Sequence, residues 1–225
     1  MRSMKFLGLA VLPALVISLF PAVPASAQET EELKIELPKP MFVGTPKTIR
    51  TPNLERVTGR KRRPFMAPKG TELLSLNKPV KASDPEPIIG EVEFVTDGDK
   101  EGADGSFVEF GPDKQWVQID LEEECEIAAI VVWHYHSEAR VYYDVIVEVS
   151  NDEDFIDSTK IFNNDHDNSY GLGFGKEKDY IESNEGKLID AKGAKGRYVR
   201  LHSRGNTSNE MNHYVEVDVY GQKAG

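Results

Sequence analysis

Gln115-Trp116-Val117-Gln118-Ile119-Asp120-Leu121 and, shortly after it, Ile127-Ala128-Ala129-Ile130-Val131-Val132-Trp133-His134-Tyr135 are the stretches that decide the fold. The first alternates polar and apolar side chains with period two, which is the signature of a strand with one buried face. The second is almost continuously apolar, as a strand covered on both faces would be. Working outward, Val141 to Val149, Arg197 to His202 and His213 to Tyr220 are again rich in β-branched and aromatic residues, which suit a pleated surface. Gly-, Asn- and Asp-rich joints separate them, and no long stretch repeats every 3.6 residues. The expectation is an all-β sandwich or barrel from about residue 73 onward, long enough for a two-sheet core.

The chain has 225 residues, 27 basic and 38 acidic side chains, a net charge of −11 and one Cys. A single Cys excludes a cystine-stapled scaffold. Cys125 lies in the run Glu122-Glu123-Glu124-Cys125-Glu126, where carboxylates disfavour the thiolate, so it reads as a partly buried small side chain and not a nucleophile. Net acidity argues against a nucleic-acid partner, because phosphate neutralisation needs clustered Lys and Arg.

Residues 1–27 read as a signal peptide: Arg2 and Lys5, then an apolar run from Phe6 to Phe20, then Ala25-Ser26-Ala27. That run is shorter than the roughly 20 residues of a membrane span. The expectation is cleavage after Ala27 and a secreted or periplasmic protein, with no membrane span. Residues 28–72 hold six prolines, ten basic and six acidic side chains; residues 73–225 then hold 15 basic and 32 acidic ones. A proline-rich basic arm or linker thus precedes an acidic domain. Proline removes backbone donors, so the arm is expected to be an extended strap. Met41-Phe42-Val43 and Pro64-Phe65-Met66 are positioned to pack on the domain. Arg56 and the run Arg60-Lys61-Arg62-Arg63 suit an anionic surface or polyanion, a protein partner, or the chain's own acidic domain, and a solvated linker explains the same run equally well.

Several motifs follow one another in order: Asn77 to Ser83, Thr96-Asp97-Gly98-Asp99, Trp116-Val117-Gln118-Ile119-Asp120-Leu121, Ile130 to Trp133, Val149-Ser150-Asn151-Asp152, Arg197 to Leu201, and Glu216-Val217-Asp218-Val219-Tyr220-Gly221. In this succession residues 73–222 resemble the discoidin family, also called factor V/VIII type C, which is related to galactose-binding-like carbohydrate modules. The resemblance implies a discoidin-like jelly-roll β-sandwich of eight strands whose loops at one end bind ligand. It implies a non-catalytic module that recognises glycans, anionic lipid heads or proteins. The sequence departs from the family in lacking the Cys pair that often clamps the domain ends, and in lacking a Trp soon after Asp99. Asn163 to Gly173 is no general family feature.

Two groups of residues carry candidate chemistry. Asp97 and Asp99 flank a glycine that permits a sharp turn, and Asp104 and Ser106 add oxygen donors, as a hard cation requires. An Asp-stabilised turn explains the same residues without a metal. The resemblance adds Glu216 and implies structural calcium. Tyr135, His136, Arg140, Asn164, Asp165, His166, Asn168 and Tyr170 lie near strand ends and supply the aromatic faces and fixed polar groups that a sugar needs. His134, His136 and His166 could also hold a transition metal or serve as structural hydrogen-bonding groups. Trp116 and Trp133 fall inside strand patterns and read as core. Gly171 to Lys176 lacks the Ser or Thr and the βαβ context of a phosphate loop, and neither G-x-S-x-G nor H-E-x-x-H occurs. The resulting expectation is a binding module for a glycan or cell-surface polysaccharide, with a protein-interaction or envelope-assembly module as the alternative and a metal-dependent enzyme behind both.

Overall fold

A computed structural model describes residues 28–41, 48–57 and 59–225. The expected signal peptide, as well as Phe42 and Val43, lie outside the described residues. None of the described helices is long and apolar enough to cross a membrane.

The strands are β1 (Thr30–Glu32), β2 (Met66–Pro68), β3 (Glu72–Leu73), β4 (Val80–Ala82), β5 (Val108–Phe110), β6 (Gln115–Trp133), β7 (Ile146–Ser150), β8 (Thr159–Asn163), β9 (Lys187–Ser203), β10 (Asn212–Tyr214) and β11 (Glu216–Lys223). The main sheet runs β3-β11-β6-β9-β7-β8, with β4 also on β6. The long strands β6 and β9 build two layers from one ladder. Residues 115–120 of β6 pair with 198–203 of β9, beside β4 and β7; residues 125–132 pair with 187–196, beside β11. The ladder breaks between them, where the acidic run sits and Glu122 adopts φ 69°. Such an interruption bends a strand.

The two layers face each other across one core. Val117, Ile119 and Leu201 from the first half meet Ile130, Val132, Val217 and Val219 from the second. This is the expected all-β sandwich, and the alternation of 115–121 is read correctly: Val117 and Ile119 are fully buried.

The continuous apolar run is explained by a second cover. Ala129, Val131 and Trp133 point away from the main core, into a smaller cluster with Phe107, Val215 and Tyr220. Leu33, Ile35 and Phe65 of the arm pack on that cluster. The arm pairs with itself through β1 and β2, and the Leu33 N–H donates to the Phe65 carbonyl at 2.8 Å. It is pinned to the domain by polar contacts. The Arg62 guanidinium donates to the carbonyls of Glu185 (2.7 Å) and Gly186 (3.2 Å), and the Asn184 amide donates to the Pro38 carbonyl at 3.0 Å. Of the readings of the basic run, docking on the chain's own domain therefore holds for Arg62. Gly186 has φ +63°, and a Cβ there would lie 2.6 Å from the Trp133 ring. Only glycine lets the loop close over that indole.

Candidate functional site at the loop end

Ser203 and Ile146 close one end of the β6–β9 ladder and Trp133, Lys187 and Glu216 the other, and the bend near residues 121–125 folds these two ends to the same end of the sandwich. The loops after β5, β6, β8 and β9 therefore gather there. Asn212 fastens them: its Oδ1 accepts the Ser203 hydroxyl and the Gly205 N–H, both at 2.8 Å, and its amide donates to the carbonyls of Gly111 and Asp113. The Arg204 N–H donates to the Tyr143 carbonyl and the Tyr143 N–H to the Gly205 carbonyl, each at 3.0 Å.

These bonds frame a surface concavity of about 260 Å³ lined by Asp113, Tyr143, Arg204, Asn206, Asn209 and Glu210, among others. Tyr143 is 40% exposed while its neighbour Tyr142 is 1% exposed. Partial burial, then the Asp179 charge, raises the Tyr143 phenol above its ordinary pKa. The Arg204 guanidinium is exposed and stands 3.6 Å from Asp144 Oδ2. An exposed ring, a cation beside Asp144, the Asn209 amide and carboxylates thus stand on a hydrogen-bonded frame, the combination that orients a polar ligand.

Most of the expected ligand residues make contacts within the frame. Asn164 Oδ1 accepts the Val145 N–H at 2.7 Å, and Asp165 accepts the N–H groups of Ser169 and Tyr170. Asn168, in the left-handed region at φ 58°, accepts the Gly173 N–H at 2.7 Å. The Tyr170 hydroxyl donates to the Gln115 carbonyl at 3.2 Å and lies 3.0 Å from His202 Nδ1. His136 is buried and its Nε2 lies 2.9 Å from the Lys100 carbonyl, to which it donates. Arg140 is buried with its guanidinium 4.5 Å over the Tyr135 ring, which itself packs edge-on against Phe107. His166 is half-buried, 3.4 Å from Asp179. For Asn164, Asp165 and Asn168 the physical reason is shared: the turns must satisfy their own backbone donors, and nearby short polar side chains do so first.

The three histidines do not form a ligand set. His134 Nδ1 pairs with Glu182 at 2.7 Å, both fully buried, and its ring stacks on Tyr142. Among the described residues, the three acids Asp144, Asp165 and Asp167 are the group at metal-ligand spacing, and all three accept hydrogen bonds from Ser169.

The acidic loop that follows the 3₁₀ turn Val92–Thr96 does converge on β11. Asp97 Oδ1 accepts the Asp99 N–H (2.8 Å), Asp99 accepts the Ser106 hydroxyl (2.8 Å), and Glu216 Oε2 accepts the Gly98 N–H (3.1 Å). Asp104 is exposed on the same loop. Glu216 and Asp218 are both fully buried, and each has one carboxylate oxygen without a hydrogen-bond partner. Burial first, and the Asp218 charge second, hold the Glu216 carboxyl well above the usual carboxylate range. Lys100 is the nearby cation, 3.1 Å from Asp218 Oδ2. Asp218 and Lys100 were not singled out from the sequence; the alternation Glu216-x-Asp218-x-Tyr220 places all three on one face and was the available signal.

The strands together define a discoidin-like jelly-roll β-sandwich. Residues 94–201 match the family model for F5/F8 type C domains, described as a NedA-like, galactose-binding domain. The arm precedes the matched stretch. No curated protein matches the chain. Among solved structures, a family 89 glycoside hydrolase from Clostridium perfringens is 17% identical with a TM-score of 0.52, over 68% of this chain and 15% of that one. A truncated AlyQ with CBM32 and alginate lyase domains is 16% identical with a TM-score of 0.50, over 69% of this chain and 34% of that one. The present chain thus spans a small part of both proteins, and the likeness is one of fold.

Proposed function

We propose that this chain is a non-catalytic carbohydrate-binding module acting outside the cytoplasm. The observation that carries the reading is the half-exposed Tyr143 ring beside Arg204 in a concavity edged by Asp113, Asn206, Asn209 and Glu210. A sugar offers an apolar C–H face and a fan of hydroxyls; the ring takes the face, and the guanidinium, the Asn209 amide nitrogen and the carboxylates take the hydroxyls, while Asn206 holds the turn beneath them. Asn164, Asp165, Asn168 and Tyr170 act behind them by fixing the loops. The family match and the carbohydrate-binding modules of the same fold support this class of ligand.

Structural calcium belongs to the same proposal. Asp97, Asp99, Ser106 and Glu216, with Asp104 beside them, offer the hard oxygen donors such an ion takes. The fit is supported by the buried, unpartnered Glu216 oxygen, since an isolated buried carboxylate is costly unless a cation or proton neutralises it. The ion would tie the loop of 97–106 to β11.

A glycan array followed by titration calorimetry tests the reading. Tyr143→Ala and Arg204→Ala are each expected to weaken the best glycan by at least about tenfold, equivalent to about 1.4 kcal/mol. Undiminished binding by both variants refutes this site.

A further inference from the structure

The basic run of the arm is not used by the loop-end site. Its backbone is extended, and Arg62 is turned inward onto Glu185 and Gly186. In an extended segment, neighbours of an inward side chain point outward. Lys61 and Arg63 do so: both are exposed, and neither makes an ion pair among the described residues. This contrasts with the acidic domain, where Lys78, Lys81, Lys160, Arg197 and Lys223 are each paired with a carboxylate.

Lys61 and Arg63 stand on the rim of a groove of about 480 Å³ between the segments 32–37 and 61–65 of the arm. Lys34 joins them on the rim, and Leu37, 46% exposed, and Pro64 supply apolar surface. Glu36 lines the same groove. Because Arg62 and the Leu33–Phe65 backbone bond fix both walls, the groove exists before any ligand arrives.

We infer that this groove is a second binding site, for a linear acidic polysaccharide, separate from the loop end. Lys34, Lys61 and Arg63 meet spaced carboxylates along the polymer; Leu37 and Pro64 meet the C–H faces of its rings; Glu36 accepts sugar hydroxyls. A densely charged polymer fits less well, because Glu32, Glu36 and Glu185, which also lines the groove, repel it. A flat anionic membrane also fits less well. Residues 73–225 carry 15 basic and 32 acidic side chains, so a plane of anionic headgroups meets a net negative domain around the groove, with screening over about 8 Å. A thin flexible chain follows the groove and avoids it.

The test uses the chain with its arm intact and immobilised polygalacturonate, neutral dextran, and vesicles of phosphatidylserine in phosphatidylcholine. Expected is salt-sensitive binding to polygalacturonate and none to dextran. Lys61→Gln with Arg63→Gln should weaken it at least tenfold at an unchanged melting temperature. Lys176→Gln with Lys178→Gln, an equal charge change on the exposed domain surface, should leave it intact, as should Tyr143→Ala, which reads the loop-end site separately. Failure of the wild-type chain to bind polygalacturonate overturns the inference. So does equal binding by the Lys61/Arg63 variant, or stronger binding to the vesicles than to the polymer.

Discussion

Replacing Gly186 by Ala probes how the arm, the loop before β9 and the Trp133 strand are locked together. The new Cβ would lie 2.6 Å from Trp133 Cε2 and 2.8 Å from its Nε1, so the indole or the loop must move by most of an ångström. The indole has little freedom: it is fully buried, and its Nε1–H donates to the Asn184 carbonyl at 3.0 Å. Overpacking of this kind costs about 1–3 kcal/mol. Holding a non-glycine residue at φ +63° adds about 1 kcal/mol. The smaller entropy of the unfolded alanine chain returns about 0.4–1 kcal/mol. The strain terms win, and the net is a loss of about 1–3.5 kcal/mol, or roughly 2–14 °C in melting temperature for a chain of this size. Scanning calorimetry measures the loss, and tryptophan fluorescence should shift to the red as Trp133 becomes wetter. A melting temperature within about 1 °C of wild type would refute the proposed lock.

Other predictions address the metal, the pH response and the arm. Calcium is expected to raise the melting temperature and a chelator to lower it, and Glu216→Gln to abolish that difference; an identical melt with and without chelator removes calcium from the loop. Acid should destabilise the protein in two windows. His213, buried between Tyr142 and Glu109, has its pKa lowered to about 3 by burial above all. It stays neutral when folded and protonates when unfolded, so its contribution is present above about pH 6.5 and falls as pH drops toward 3. Glu148 is lowered to about 2; burial opposes the shift, and hydrogen bonds from His202 and Ser158 outweigh it. Its contribution is present above about pH 4.5 and is lost as pH falls through 2. His213→Gln should flatten the upper window in melts between pH 4 and 7, and an unchanged slope would contradict the assignment. Phe65→Ala should cost about 1–2 kcal/mol, less than a fully buried Phe because Phe65 is half-buried, and should increase proteolysis within the arm; an arm that resists protease as before would show that Phe65 does not hold it.

How much of this was legible in the sequence depends on how local the determining physics is. Period-two alternation identified the strand at 115–121, because a pleat sends every second side chain to the same face regardless of what lies beyond. The unbroken run Ala128 to Trp133 signalled a strand covered on both faces, and the proline spacing of the arm signalled an extended strap. The Asp97-Gly98-Asp99 turn and Glu216 could be paired because the family resemblance joined them. What covers the second face of β6 was decided by tertiary structure: Leu33, Ile35 and Phe65 reach Val131 and Trp133 from far away in the chain.

The loop end shows the same division more sharply. Composition made Asn164, Asp165, Asn168 and Tyr170 look like ligand groups, but whether a polar side chain faces solvent depends on which backbone donors the packed turns leave unsatisfied. That is settled when loops from four strands meet. Tyr143 and Arg204 stayed anonymous in the sequence for the same reason: an aromatic beside Tyr142 and an Arg after β9 acquire meaning when the Asn212 bonds place them on one rim. Sequence alone determined the strands and their faces, through local sterics and hydrophobic period. Tertiary structure decided which polar groups were left free to recognise anything, because hydrogen-bond satisfaction is a property of the packed whole.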